Sequence, residues 1–178
     1  MKKWYLLASL AAAFALAGCV SKPENVDPVK QFDGARYLGK WYEIARLDHS
    51  FERGLSRVTA DYSKRDDGGI KVINRGYNAE GKEWKQSEGR AYYVETPDVG
   101  YLKVSFFGPF YGSYIVFDLD PEYRTSMVSG PDKSYLWLLS RTPQMDEATK
   151  KRLVDKAQAL GFDTSKLIWV DQSAVSSQ

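Results

Sequence analysis

The chain has 178 residues, with 25 lysines and arginines against 23 aspartates and glutamates, one histidine and one cysteine. So even a balance offers none of the basic excess that marks nucleic-acid binders. One histidine and one cysteine cannot build a structural metal cluster, and one cysteine cannot close a disulfide within the chain.

In chain order, Lys2 and Lys3 precede an apolar run from Trp4 to Leu16, followed by Ala17-Gly18-Cys19. A basic start, an apolar middle and small residues at the end are the layout of a secretory signal. The run falls short of the about 20 apolar residues that a membrane span needs. Leu16-Ala17-Gly18-Cys19 resembles the bacterial lipobox. That resemblance implies cleavage after residue 18, acylation of Cys19 as a lipid anchor and, with Val20 following, sorting to the outer membrane. The competing reading is an ordinary signal with an incidental cysteine. Removing residues 1–18 takes away Lys2 and Lys3 and no acid, which leaves 23 basic against 23 acidic residues. The remaining 160 residues (178 less 18) suit one domain with its own core. Residues 19–31 hold two prolines and little hydrophobicity, and read as the acylated N-terminus and a tether.

From residue 32 to about 172 the pattern is that of one barrel domain, with residues 173–178 as a tail. Strand signals separated by turn residues fall at 39–47, 56–64, 69–77, 83–96, 101–107, 112–119, 124–129 and 135–141. One helix is expected over about 146–160, closed by Gly161, with Met145, Thr149, Leu153, Ala157 and Leu160 recurring at helical spacing to pack on the barrel wall. A last short strand, Lys166 to Val170, would pair with the first. The fold class is therefore all-β: an eight-stranded antiparallel up-and-down barrel with one C-terminal helix outside.

Gly39-Lys40-Trp41 opening the first strand, the turn Asp118-Leu119-Asp120-Pro121-Glu122-Tyr123, and Arg141 closing the eighth strand resemble the three signatures of the lipocalins. The wider runs YLGKWYEIARLDHSFERG, KVSFFGPFYG and YLWLLSRTP resemble the bacterial outer-membrane members of that family. The resemblance covers about Phe32 to Val170. It implies a lipid-anchored binding protein for fatty acids or lysophospholipids that serves outer-membrane maintenance under stress.

Alternation assigns the faces. On the first strand Trp41, Glu43 and Ala45 share one face, and Tyr42, Ile44 and Arg46 the other. Arg141 is expected flat on the Trp41 indole. Val58, Ala60 and Tyr62, then Ile70, Val72 and Asn74, then Leu102, Val104 and Phe106, then Tyr135, Trp137 and Leu139 are expected to face inward. Gly89 suggests a bulge that leaves the fourth strand's inward face open. The candidate ligand contacts are Tyr62, Asn74, Val104, Phe106, Tyr135 and Trp137. Matching segments in apolar-ligand-binding relatives carry pocket contacts at Tyr62, Asn74 and Trp137. Core packing is the bland alternative. Glu43 would be a buried acid held by a tyrosine or arginine, or a carboxyl that senses a ligand headgroup.

The loops 48–55, 78–82, 108–111 and 130–134 should form a mouth, opposite a closed end that holds Trp41 and Arg141. Phe107, Phe110 and Tyr111 would stand at its rim, as a membrane or ligand contact or as a plug. A homodimer meeting mouth to mouth through these three is compatible with the rim. On the first loop His49, Phe51, Glu52 and Arg53 could meet a phosphate or carboxylate, or simply be solvated. No nucleophile motif surrounds His49, the only histidine, so no catalytic residue is named; carboxylate pairs remain open. No metal site and no cofactor is expected. Binding is thus favoured over catalysis, with a structural or assembly lipoprotein whose barrel is filled, and a lipid hydrolase or isomerase, as the alternatives.

Overall fold

Residues 20–173 are described in a computed structural model of the chain; the expected signal segment (1–18) and Cys19 lie outside them. After a one-turn helix α1 (Gly34–Tyr37), the strands β1 (Gly39–Arg46), β2 (Leu55–Lys64), β3 (Ile70–Asn78), β4 (Glu83–Tyr93), β5 (Tyr101–Phe107), β6 (Phe110–Leu119), β7 (Thr125–Ser129) and β8 (Leu136–Ser140) follow one another. Each pairs antiparallel with the next, and β1 pairs with both β2 and β8, which closes the barrel. Helix α2 (Glu147–Ala159) and a two-residue strand β9 (Ile168–Trp169) complete the chain. The expected strand order, the helix and the last strand's pairing with the first are all present.

Two apolar clusters divide the molecule. One fills the lower barrel around Trp41, Tyr62, Val72 and Leu102. The other lies outside the wall, where Leu153 and Ala157 of α2 cover Leu138, Ile115 and Met127. Leu138 thus faces the helix, as alternation with Trp137 requires. A charged clamp fixes the helix: Asp118 accepts from Arg152 at 3.1 and 3.2 Å and from the Lys156 ammonium at 2.8 Å. Burial alone would raise the Asp118 pKa, but hydrogen bonds from Arg152 and Lys156 outweigh it and hold the carboxyl below its usual value. A depressed carboxylate contributes stability above its unfolded pKa and loses it as pH falls through the folded one. Asp118→Asn is therefore expected to lower stability by about 1–3 kcal/mol at neutral pH, with the difference shrinking below about pH 4. Chemical denaturation at pH 3 and 7 checks this; an unchanged midpoint at pH 7 would remove the clamp from the account.

Two departures from the expected fold matter for the site. The stretch 20–31 is no loose tether. Val26 is fully buried, the Val29 amide donates to Val116 O at 2.8 Å, and Gly100 N donates back to Val29 O at 2.9 Å. Val20 and Val26 pack on the outer wall, half-buried Val29 packs against the lower-barrel cluster, and the backbone pairs beside β5 and β6, so the stretch is a strap despite its polar composition. Gly89 marks no bulge either. β3 and β4 pair without interruption from Ile70↔Ala91 to Asn78↔Glu83. A Cβ on Gly89 would lie 2.8 Å from Ser105 O and 2.9 Å from the Phe106 ring, so glycine is needed there for close approach.

The irregularity falls on β1 instead. Glu43 pairs with Leu139, Ala45 with Leu138 and Arg46 with Trp137, so Ile44 is an extra residue. Directly paired residues share a face. Ala45 therefore goes outward with Leu138 and Arg46 inward with Trp137, the reverse of strict alternation. That shift places a second charge inside the barrel.

Candidate functional site

At the closed end Gly39 has φ +96, a conformation open to glycine, and an added Cβ would lie 3.3 Å from an Arg141 nitrogen. The Arg141 guanidinium lies 3.9 Å from the centre of the Trp41 ring, as expected. It also donates to four carbonyls, of Arg36, Leu38, Lys40 and Tyr123, at 2.7 to 3.1 Å. The Trp41 N–H donates to Tyr37 O at 2.9 Å. These contacts seal the bottom.

Above the seal stand three tyrosines. The Tyr114 hydroxyl is 2.9 Å from that of Tyr37 and 2.8 Å from that of Tyr62, and Tyr37 reaches Ser126 Oγ at 3.1 Å. Burial pushes the Tyr37 pKa up to about 12, so this floor is neutral at all physiological pH. Of the three only Tyr62 was expected as a ligand contact: Tyr37 sits on the one-turn helix α1, and Tyr114 on β6, a strand whose inward face alternation had not assigned.

Over the floor a cavity of about 240 Å³ opens toward the mouth. At about 30 Å³ per water-sized group, it holds roughly eight methylenes. Tyr62, Asn74, Val104, Phe106, Tyr135 and Trp137 all line it. A second lobe of about 220 Å³ adjoins it past Asn74 and Phe106, and is bounded by Arg75, Lys85 and Ser87. That lobe exists because β4 pairs with β5 only over Arg90–Tyr93, while Glu83–Glu88 pair with β3 alone. The wall therefore gapes between upper β4 and β5. On the far side, the corresponding gap between upper β1 and β2 is closed: β9 pairs with Ala45 and Arg46, and the Gln172 amide bridges Glu43 O and Val58 O at 2.7 and 2.9 Å.

Along one wall of the cavity runs a buried ionic chain. Arg46 Nη1 donates to Glu43 Oε1 at 2.8 Å, and its Nη2 donates to the carbonyls of Glu52 and Leu55. Glu52 Oε2 accepts from the Trp137 indole at 3.0 Å and lies 2.8 Å from His49 Nε2. Burial, then the neighbouring Glu52 charge, lift the Glu43 pKa well above the ordinary carboxylate range, against Arg46. Burial also acts to raise Glu52, yet hydrogen bonds from His49 and Trp137 and the Arg46 charge leave it below its usual value. Glu43 is thus a buried acid held by an arginine. The first loop differs from the solvated alternative: His49 and Glu52 are buried, whereas Phe51 is exposed over the mouth and Arg53 pairs with Asp48. Glu52 was misjudged because its tryptophan partner lies 85 residues away.

The three rim aromatics part company. Phe107 and Phe110 are 82% and 78% exposed at the β5–β6 tip. Tyr111 turns onto the outer wall, where its hydroxyl accepts from Arg90 Nε at 3.0 Å and its ring faces Lys103. It falls on the outward phase of β6, next to inward-facing Gly112.

The lipocalin-like domain family profile matches residues 32–172. The chain is 59% identical to the outer membrane lipoprotein Blc of Vibrio cholerae over 158 residues, 88% of this chain and 92% of the relative. It is 56% identical to the protein of the same name from Escherichia coli over 169 residues, 94% and 96% of the two chains. Among solved structures, insecticyanin from the tobacco hornworm superimposes with a TM-score of 0.66 at 23% identity, covering 86% of this chain and 87% of that one, a likeness of fold alone. With a closed eight-stranded barrel, an outside helix and a guanidinium stacked on the first strand's tryptophan, the chain belongs to the lipocalin-like family.

Proposed function

We propose that the protein is an outer-membrane lipoprotein, anchored by an acylated Cys19, that binds and carries fatty acids or lysophospholipids for membrane maintenance under stress. The observation that carries this reading is the apolar cavity under an open mouth, with its charged groups along one wall. An acyl chain would lie against Val104, Phe106, Tyr135 and Trp137, passing Asn74, with its headgroup at the mouth. Six to eight buried methylenes at about 0.8 kcal/mol each supply about 5–6 kcal/mol before association costs, short of the about 8 kcal/mol of micromolar binding, so headgroup contacts and the side lobe must supply the rest. The volume favours binding over a filled barrel with a purely structural role. Uptake of a fluorescent fatty acid by delipidated protein separates those two, and turnover of lysophospholipid by the same sample would reveal an enzyme.

Trp137→Ala is expected to weaken acyl-chain binding by about 1–3 kcal/mol. Leu138→Ala, whose side chain is fully buried under α2, should cost stability with little change in affinity. Titration and thermal melting of both variants check this. Greater harm to binding from Leu138→Ala would overturn the proposed pocket.

A further inference from the structure

The strap determines where the chain leaves the barrel. Val20 O accepts from the Tyr101 hydroxyl at 3.0 Å, and Ser21 Oγ donates to Pro131 O at 3.1 Å. The Ser113 hydroxyl donates to Ser21 O. Pro131 belongs to the β7–β8 loop and lines the mouth of the cavity. From there the strap descends to Val29 and Phe32, which packs in the closed end. Val20 follows Cys19 directly in the sequence. The strap therefore starts on the mouth half of the barrel: Ser113 stands about 10 Å from the tip end of β6 and about 20 Å from its closed end.

The same end carries most of the exposed apolar surface. Among the described residues, seven large hydrophobic side chains are exposed: Phe51, Trp84, Phe107 and Phe110 belong to the mouth loops and hairpin tips, while Val94, Ile168 and Trp169 lie elsewhere. The charges among them are mixed: Arg53, Lys82 and Lys85 stand with Asp48, Glu80 and Asp132. The face is therefore suited to apolar insertion rather than to electrostatic adhesion. Phe107 also borders the side lobe, next to the gap between β4 and β5.

We propose that the mouth end is a bilayer-docking face, with Phe107 and Phe110 entering the headgroup layer and the β4–β5 gap serving as a side door for lipid. The orientation rests on the reading of Cys19 as the lipid-bearing residue. An acyl chain drawn from the membrane would pass Phe107 into the side lobe and on to the main cavity without crossing water.

Cys19 is the chain's single cysteine, so in its acylated form an introduced cysteine is the only free thiol. The acylated protein is reconstituted in phosphatidylethanolamine/phosphatidylglycerol vesicles, with a nitroxide attached at Phe110→Cys or, at the closed end, Asp66→Cys. The label at 110 should be reached by oxygen and shielded from a water-soluble nickel chelate, and the label at 66 the reverse. Phe110→Ser should slow transfer of a fluorescent lysophospholipid from vesicles about tenfold, with unchanged affinity for the monomeric ligand. Equal chelate access at 110 and 66, on protein that stays bound in high salt, overturns docking and leaves the lipoprotein reading standing. Shielding of 110 from both reagents, with spin–spin broadening, means a second copy covers the tip, and overturns it too. Labelling of the wild type, or its release by salt, sinks the anchored reading and the orientation with it.

Discussion

Arg46→Met is expected to lower the unfolding free energy by about 3–5 kcal/mol, because it leaves Glu43 and Glu52 facing each other without their cation. Arg46 and Glu43 are 1% and 3% exposed, so water cannot replace the lost partner. The sign of the pH dependence follows from Glu43. Its folded pKa is raised, so stability is fully present below the unfolded value of about 4.3 and falls as pH rises toward the folded one. Without Arg46 the Glu43 pKa climbs further and that window lengthens. The variant should therefore lose more at pH 8 than at pH 5. Adding Glu43→Gln, which mimics the protonated acid, should restore part of the loss at pH 8. Urea denaturation of the single and double variants at both pH values reads this out. An Arg46→Met protein as stable as wild type at pH 8 would mean that the cluster is hydrated in solution.

Trp41→Ala should cost about 3–5 kcal/mol, since a fully buried indole leaves a cavity at the foot of the core. Arg141→Ala should cost about 1.5–3 kcal/mol, more than a stacked cation alone would suggest, because four carbonyls lose a charged donor. The double variant should fall short of the sum by about 0.5–3 kcal/mol, as for residues in contact. Arg141→Lys keeps the charge but not the planar fork, and should recover less than half of the Arg141→Ala loss. Additive losses in the double-mutant cycle would argue that the stacking contributes nothing.

Much of the barrel was legible because its wall obeys alternation. Val58, Tyr62, Val72, Val104 and Trp137 took the faces that parity assigned them, and turn residues placed nearly every strand end within two residues. What alternation cannot carry across is an extra residue. Ile44 reversed the phase of β1, so Arg46 went from the outer face to the inner one, and the ionic chain of the cavity wall went unread. The strap was misjudged for a different reason. Its prolines and charges resemble a linker, and Val26 and Val29 find burial only against a surface that strands far downstream create. The tyrosine floor was half legible, since Tyr62 lay on a strand of known phase, whereas Tyr37 sits on a one-turn helix too short to show a pattern. Gly89 signalled a constraint correctly and its kind wrongly, because a glycine that yields to a neighbour's ring looks in sequence like one that bends a strand.

The unpaired upper edge of β4 has a consequence beyond lipid entry. A strand with free N–H and C=O groups invites another chain to add to it, and a protein held in the plane of a membrane, as proposed above, meets its own copies at high local concentration. Glu83-Trp84-Lys85-Gln86-Ser87-Glu88 contains no β-branched residue and alternates both signs of charge along an exposed run. Stacking such an edge against another copy would set hydrated charges at close quarters for little apolar burial. The opening in the wall can thus persist without seeding aggregation.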